Sequence, residues 1–188
     1  MTLLVVGILM FTLVHLFPAI ARPTRDHLAE RLGSGAYQGL FALTILISIV
    51  VIVFGWKSAQ PTLVYAPVIA PGLVTSGLML LAFLLFIASN LPTNLKRWIR
   101  HPQMTGTLLW SVTHLLANGD SRSVILFGSL GAWSILEMLL CNRRDGPRQK
   151  PEPVALTKDV VVVIAGVALF AVFAYSHRWL FGVTVVPA

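Results

Sequence analysis

Six apolar segments, each about twenty residues long, run along this chain and leave only short connections between them. The hydrocarbon core of a bilayer needs about 20 apolar residues of helix, and a helix satisfies its own backbone hydrogen bonds there. The sequence therefore predicts an all-α integral membrane protein, a bundle of about six transmembrane helices. The predicted spans are residues 1–21, 36–56, 71–91, 98–118, 123–141 and 159–177.

Composition excludes a soluble nucleic-acid-binding domain. The formal net charge of +7 is typical of proteins that bind nucleic acid, but only 11% of the 188 residues are charged and 56% are hydrophobic. Too few polar residues lie outside the apolar segments to build a separate basic domain. We therefore expect a single domain, residues 1–188, whose surroundings are the lipid bilayer and which has no nucleic-acid partner.

The basic residues predict the orientation of the bundle. The loops after the first, third and fifth segments hold three, three and five Lys and Arg residues, eleven of the fourteen in the chain. By the positive-inside rule these loops are cytoplasmic, so both termini face outward. Ala19-Ile20-Ala21 resembles a signal-peptidase site, but no basic residue precedes it, and we expect the first span to be retained.

Residues 101–120, HPQMTGTLLWSVTHLLANGD, carry the greatest concentration of chemically interesting side chains. Pro102 suits the first turn of a helix, and Asn118-Gly119-Asp120 is a strong turn signal, so the sequence predicts one helix between them. At 3.6 residues per turn, one side of this helix is polar and aromatic. That side carries Gln103, Thr107, Trp110, His114 and Asn118.

Three histidines are candidates for a role inside or beside the membrane. An imidazole in hydrocarbon is costly unless it is hydrogen-bonded or ligated to a metal. For His114 this favours a ligand over a structural histidine, and for His15 on the first span the two interpretations stay equal. His101 lies 13 positions before His114, about 220° around the helix. We expect it to be a helix cap, a contact for an anionic group or a structural interface residue.

The fifth segment contains an embedded carboxylate and a cysteine, which is an ordinary residue at the end of an apolar helix. Glu137 is the only carboxylate embedded in an apolar segment, and such a group requires a partner. It either interacts with a buried site or extends toward the interface to pair with Arg144 at i+7. Cys141 is the only cysteine, which excludes an intrachain disulfide and a CxxC site.

The connections also carry local signals. The first loop predicts a short surface helix that begins at an N-cap, Thr24, and ends at Gly33. Gly35 and Gly39 have the GxxxG spacing that allows close helix packing. The apolar, proline-containing connector, residues 57–71, is expected to lie in the outer interface or to fold over the bundle as a lid.

The sequence resembles the NnrU family of bacterial membrane proteins over nearly its whole length. The resemblance rests on HPQMTGTLLWSVTHLLANGD, on the first span with His15 and Pro18, and on RWLFGV near the end. It implies a multi-pass protein of the bacterial inner membrane, a link to nitrogen-oxide metabolism and, through the related zeta-carotene isomerase, a haem b cofactor. Carried over by position, the histidines are His15, His101 and His114, with His15 and His114 as the axial pair.

The resemblance gives further residues two possible roles each. Trp110 packs on the porphyrin or is a core aromatic residue, and Glu137 tunes the haem or pairs with Arg144. Arg97 and Arg100 contact the haem propionates or form a cationic rim that only obeys the positive-inside rule. His101 contacts the propionates, caps the helix or is a structural interface residue. One departure concerns Ser111, because isomerase-type members carry a cysteine three residues before the second motif histidine.

Two functions follow from these expectations. The first is haem b binding with a redox, sensing or electron-transfer role, which implies a membrane redox partner. The alternative is a haem-dependent cis–trans isomerase of a lipid-soluble polyene, which implies a lipophilic substrate. A homo-oligomer is compatible with both. The sequence holds no phosphate loop, Ser-His-Asp arrangement or paired carboxylates, so hydrolytic and nucleotide chemistry are not expected.

Overall fold

The computed structural model describes residues 1–70 and 72–185, and within them the chain forms seven α-helices. Pro71, the last residue of the predicted connector, and residues 186–188 lie outside the described part. The helices are α1 Thr2–Ile20, α2 Arg22–Leu32, α3 Ser34–Ser58, α4 Leu73–Asn90, α5 Pro102–Ala117, α6 Ser121–Asp145 and α7 Leu156–Phe181, with a 3₁₀ turn at Asn94–Arg97.

Five of these helices, α1, α3, α4, α6 and α7, are long and apolar enough to cross a membrane. Large apolar side chains on them face outward, for example Leu13 at 63% exposed and Ile164 at 64%, as expected of a surface that contacts lipid. The chain is thus an all-helical, multi-pass membrane protein. The fourth predicted span, 98–118, forms the shorter α5, whose 16 residues rise about 24 Å.

Helix α6 lies between the two parts of the bundle. It packs against α1, which packs against α3, and on its other side it packs against α5, which packs against α4. Helix α7 completes the bundle against α4. Serines on the inward faces are fully buried, Ser48, Ser111 and Ser134 among them, and small residues of this kind let membrane helices approach closely.

Glycines set the close approach of α1 and α3, but not those that the sequence predicts. A Cβ on Gly7 would lie 2.7 Å from the Ile52 backbone nitrogen, and one on Gly55 would overlap the Leu4 backbone. Gly35 and Gly39 have open space around them, so the predicted GxxxG contact is wrong. The two helices meet through one glycine on each of them, Gly7 on α1 and Gly55 on α3, and not through a motif on one helix.

The predicted surface helix is confirmed as α2, with one correction. It ends at Gly33, whose φ of +81° is a conformation that side chains with a Cβ rarely adopt. Thr24 is not the N-cap, because the helix already begins at Arg22 and Pro23 occupies its first turn, where a missing N–H costs nothing.

The connector after α3 is folded over the end of α5. The backbone nitrogens of Val68 and Ile69 donate to the carbonyl oxygen of Leu116, and Tyr65 Oη donates to the carbonyls of Leu115 and Asn118. These carbonyls close a helix and have no partner within it. The predicted fold-back is thus confirmed, and its hydrogen bonds cap α5.

The other end of the bundle, here called the basic end, is where α1, α4 and α6 finish and α3, α5 and α7 begin. Its helix ends are joined directly, since Asn94 donates from its backbone and side chain to Asp159 and His101 bonds Asn142. This end holds eleven of the fourteen Lys and Arg residues, in α2, in the connections and in the adjoining turns of α6 and α7. The basic residues are therefore segregated at one end of the folded bundle, as the sequence predicts.

Candidate functional site

His114 lies in the last turn of α5, half-buried against α6. Its Nδ1 is 2.9 Å from the Trp110 carbonyl oxygen, and since a carbonyl only accepts, Nδ1 carries the proton. The ring stacks on Phe127, with centroids 4.3 Å apart. Its Nε2, the nitrogen that keeps a lone pair, makes no hydrogen bond with a described residue.

His15 repeats this arrangement on α1. Its Nδ1 is 2.8 Å from the Phe11 carbonyl oxygen, so the proton is again on Nδ1. The ring centroid lies 4.2 Å from that of Phe11, 5.0 Å from Trp133 and 5.8 Å from Phe41. The result is a neutral imidazole among aromatic rings, and within the described residues its Nε2 also has no hydrogen-bond partner.

The two histidines contact different levels of the same helix. His15 lies against Trp133 and His114 against Phe127, which are six residues apart on α6, a rise of about 9 Å. No ring contact joins His15 to His114 in the described structure. Helix α6 packs against both α1 and α5, and it is the helix that the two histidines share.

Trp110 and Ser111 lie in the contact between α5 and α6. Trp110 packs on Phe127 at 4.7 Å and on His114 at 5.0 Å, so it takes part in the core aromatic cluster. Ser111 is fully buried, and its Cβ lies 3.2 Å from where a Cβ on Gly131 would be. Its Oγ has no hydrogen-bond partner in the described structure.

His101 and Glu137 make their hydrogen bonds with residues outside the cluster of Trp110, His114 and Phe127. His101 begins α5, but its side chain caps no backbone group and instead bonds Asn142 on α6 at 2.9 Å, the structural interface role. Glu137 accepts a weak hydrogen bond from Cys141 at 3.6 Å. In the structure Arg144 pairs with the adjacent Asp145 at 2.7 Å, and no ion pair joins it to Glu137 among the described residues.

Arg97 and Arg100 lie at the basic end. Arg97 donates to the Pro151 carbonyl and Arg100 to the Gly146 carbonyl, both in the loop between α6 and α7. Arg100 is 14 residues before His114, about 20 Å along α5. The structure thus brings the two arginines to a loop and not to either span histidine.

Sequence reasoning missed two polar atoms on aromatic side chains near His15. Trp133, which packs on His15, and Tyr37, which packs on Phe41, have a buried Nε1 and a buried Oη without a hydrogen-bond partner in the described structure. A cavity of about 230 Å³ is lined by Tyr37 and by Pro18, Arg25, Gln38 and Phe41. The available signal was the aromatic hydroxyl and indole on apolar helices, since buried tyrosine and tryptophan polar atoms usually find a partner.

The donor set fits haem better than a metal held by protein alone. No group of three or more His, Cys, Asp and Glu residues among the described residues is arranged to hold a metal ion. Haem supplies four nitrogen ligands itself and needs only one or two axial side chains, for which a neutral imidazole with a free Nε2 is suited. His15 and His114 both meet this requirement, and each ring is oriented by a carbonyl on its own helix.

Comparison with known proteins gives one match. The family model described as NnrU protein matches residues 3–185, nearly the whole chain. No curated protein and no solved structure matches the chain.

Proposed function

Because the chain belongs to the NnrU protein family, we propose that it is a haem b binding protein of the bacterial inner membrane. His15 and His114 are its axial ligands, and its role is redox, sensing or electron transfer linked to nitrogen-oxide metabolism. The haem and the nitrogen-oxide link come from the family resemblance. The structure supports the proposal through the hydrogen bonding of the two histidines.

One observation supports this proposal most. Two histidines on different helices each bond Nδ1 to the carbonyl four residues earlier, at 2.8 Å and 2.9 Å, and each keeps Nε2 without a described partner. A ligand histidine is oriented through one nitrogen so that the other can bind iron.

Ligation of one iron by both histidines requires the bundle to adjust. In the described packing, the imidazoles face aromatic side chains of α6 at two levels about 9 Å apart. We therefore expect haem binding to shift Trp133 and Phe127, or the helices that carry His15 and His114. Bound haem supplies a one-electron couple, and the aromatic side chains around the histidines exclude water and set the polarity of the site.

A polyene isomerase is less well supported. Isomerase-type members carry a cysteine where this chain has Ser111. The Ser111 side chain is buried in the α5–α6 contact beside Gly131. A hydroxyl cannot replace a thiolate as a soft iron ligand. Electron transfer or sensing, with a membrane redox partner, needs no such ligand.

An absorption spectrum of the purified full-length protein, oxidised and then reduced with dithionite, tests haem binding. We expect a low-spin spectrum in both states. Carbon monoxide added to the reduced protein then separates the roles, since slow or absent binding indicates two tightly held ligands and electron transfer, whereas rapid binding indicates a labile ligand and sensing or catalysis. A protein that is folded but takes up no haem when supplied with it contradicts the proposal.

A further inference from the structure

A cavity of about 470 Å³ lies at the basic end, beside the first turn of α5 and at the opposite end of that helix from His114. It opens where three helices finish or begin, and it is therefore level with the rim of the bundle. The side chains that matter for its chemistry are Ser89, Lys96, Arg100, Pro102, Asp145 and Arg148.

The lining of this cavity is positively charged. Lys96, Arg100 and Arg148 face it, and its one carboxylate, Asp145, is already paired with Arg144 at 2.7 Å. Lys96 Nζ makes no hydrogen bond or ion pair with any described residue. Because the only carboxylate in the lining is already paired, the three cations give the cavity a positive potential that favours binding of an anion.

The two arginine side chains are held in place. Arg148 donates to the carbonyl oxygens of Trp98 at 3.0 Å and Lys96 at 2.5 Å, and Arg100 donates to that of Gly146 at 3.0 Å. These bonds tie the loop after α6 to the turn after α4, so the cavity walls are set before a ligand arrives. Each guanidinium has five N–H donors, and the remaining ones are available to a ligand.

The position of the cavity matches the headgroup region of a bilayer. Trp98, next to the cavity in the turn, is 75% exposed, and Lys150 lies 4.9 Å from its ring centroid. An exposed tryptophan beside lysine at the end of a membrane helix is typical of the lipid–water interface. An anion at this depth has access both to lipid headgroups and to the aqueous phase.

We infer that this cavity binds a phosphate group that carries net negative charge, with Lys96, Arg100 and Arg148 as its ligands. Phosphate oxygens accept charge-assisted hydrogen bonds from such side chains, and basic pockets at the cytoplasmic rim of membrane helices recognise anionic lipid headgroups in this way. The phosphate belongs to an anionic phospholipid or to a soluble phosphate compound, and both present the same chemistry to the cavity.

Native mass spectrometry of the full-length protein in neutral detergent tests this inference. With phosphatidylglycerol and phosphatidylcholine supplied together, we expect the protein to retain phosphatidylglycerol preferentially. Lys96→Gln should weaken that retention about fivefold, since one cation near a membrane surface contributes about 1 kcal/mol. Arg143→Gln removes a charge from the same end without touching the cavity, and it should leave retention unchanged.

The source of the phosphate is separated by a competition experiment. If inorganic phosphate displaces phosphatidylglycerol and its effect is weakened by Lys96→Gln, the ligand is a soluble phosphate compound. If inorganic phosphate has no effect, the acyl chains are required and the ligand is a lipid. Equal retention of the two lipids by the wild-type protein, or equal losses in Lys96→Gln and Arg143→Gln, overturns the inference. The wild-type comparison holds even if a variant misfolds.

Discussion

The imidazole of His114 stacks on the phenyl ring of Phe127, with centroids 4.3 Å apart and planes inclined by 24°. The same imidazole donates from Nδ1 to the carbonyl of Trp110. A stacked face and a bonded nitrogen leave the ring little rotational freedom. The direction of Nε2 is therefore set by the backbone of α5 and by the contact between α5 and α6.

The first prediction concerns the histidines. We expect His114→Ala to abolish haem retention, and His15→Ala to do the same or to leave a five-coordinate, high-spin haem, because each change removes a free Nε2. His101→Ala should weaken binding without a change of spin state. The measurements are haem content per protein and the oxidised and reduced absorption spectra.

His27 supplies the matched control, because it is exposed on α2 and His27→Ala should bind haem as the wild type does. A folded His114→Ala protein that keeps the wild-type low-spin reduced spectrum would show that His114 is not an axial ligand.

The second prediction tests the glycine contacts between α1 and α3. Gly55→Ala places a methyl group on the Leu4 backbone, and we expect it to destabilise the protein by about 1–3 kcal/mol, the usual cost of overpacking. Gly35→Ala has open space and should be neutral or stabilising by up to about 1 kcal/mol. Thermal unfolding in detergent compares the two. An equal loss of stability would contradict the assigned contact.

The third prediction concerns the turn between α5 and α6. A Cβ on Gly119 would overlap the carbonyl oxygen of Tyr65, in the connector that caps α5. Gly119→Ala should therefore detach the connector or lower stability by about 1–3 kcal/mol. Limited proteolysis within the connector, together with the unfolding temperature, measures both effects. Gly128→Ala, the same change at an open helical position, should remain resistant.

The fourth prediction concerns the start of α6. Asp120 accepts hydrogen bonds from the backbone and hydroxyl of Ser123 at 3.1 Å and 2.5 Å, so it is the N-cap of this helix. Asp120→Ala should cost about 0.5–2 kcal/mol, whereas Asp120→Asn keeps the acceptor and should cost less. If the two variants unfold at the same temperature, the charge of Asp120, and not the cap, is what stabilises α6.

The fifth prediction concerns orientation, which the segregation of basic residues predicts. In a Cys141→Ser background, a cysteine introduced by Gln149→Cys should react with an impermeant thiol reagent only after the inner membrane is opened. One introduced by Thr62→Cys, at the opposite end, should react in intact spheroplasts. Labelling of the first and not the second from outside would reverse the orientation.

Much of this structure follows from the sequence, and the remainder depends on which helix faces meet. The lengths and apolar character of the segments predict the helices, and the cost of imidazole in hydrocarbon identifies His15 and His114. The wrong choice of Gly35 and Gly39 over Gly7 and Gly55 has a physical reason, because spacing along one helix does not show which side the neighbour occupies. The spacing of residues along α6 likewise does not show whether Arg144 pairs with Asp145 or with Glu137, because this depends on where the side chains lie.

The position of α6 between two groups of helices has a consequence for how the protein is made. Helices α1, α2 and α3 pack among themselves, α4 packs on α5, and α6 is what packs against both α1 and α5. A nascent chain that has left the ribosome only as far as Ala117 therefore holds two separate assemblies, linked by the connector. Membrane insertion of α6 is the step that joins them. A translational pause before this step would therefore prolong the state in which the two assemblies are not yet packed together.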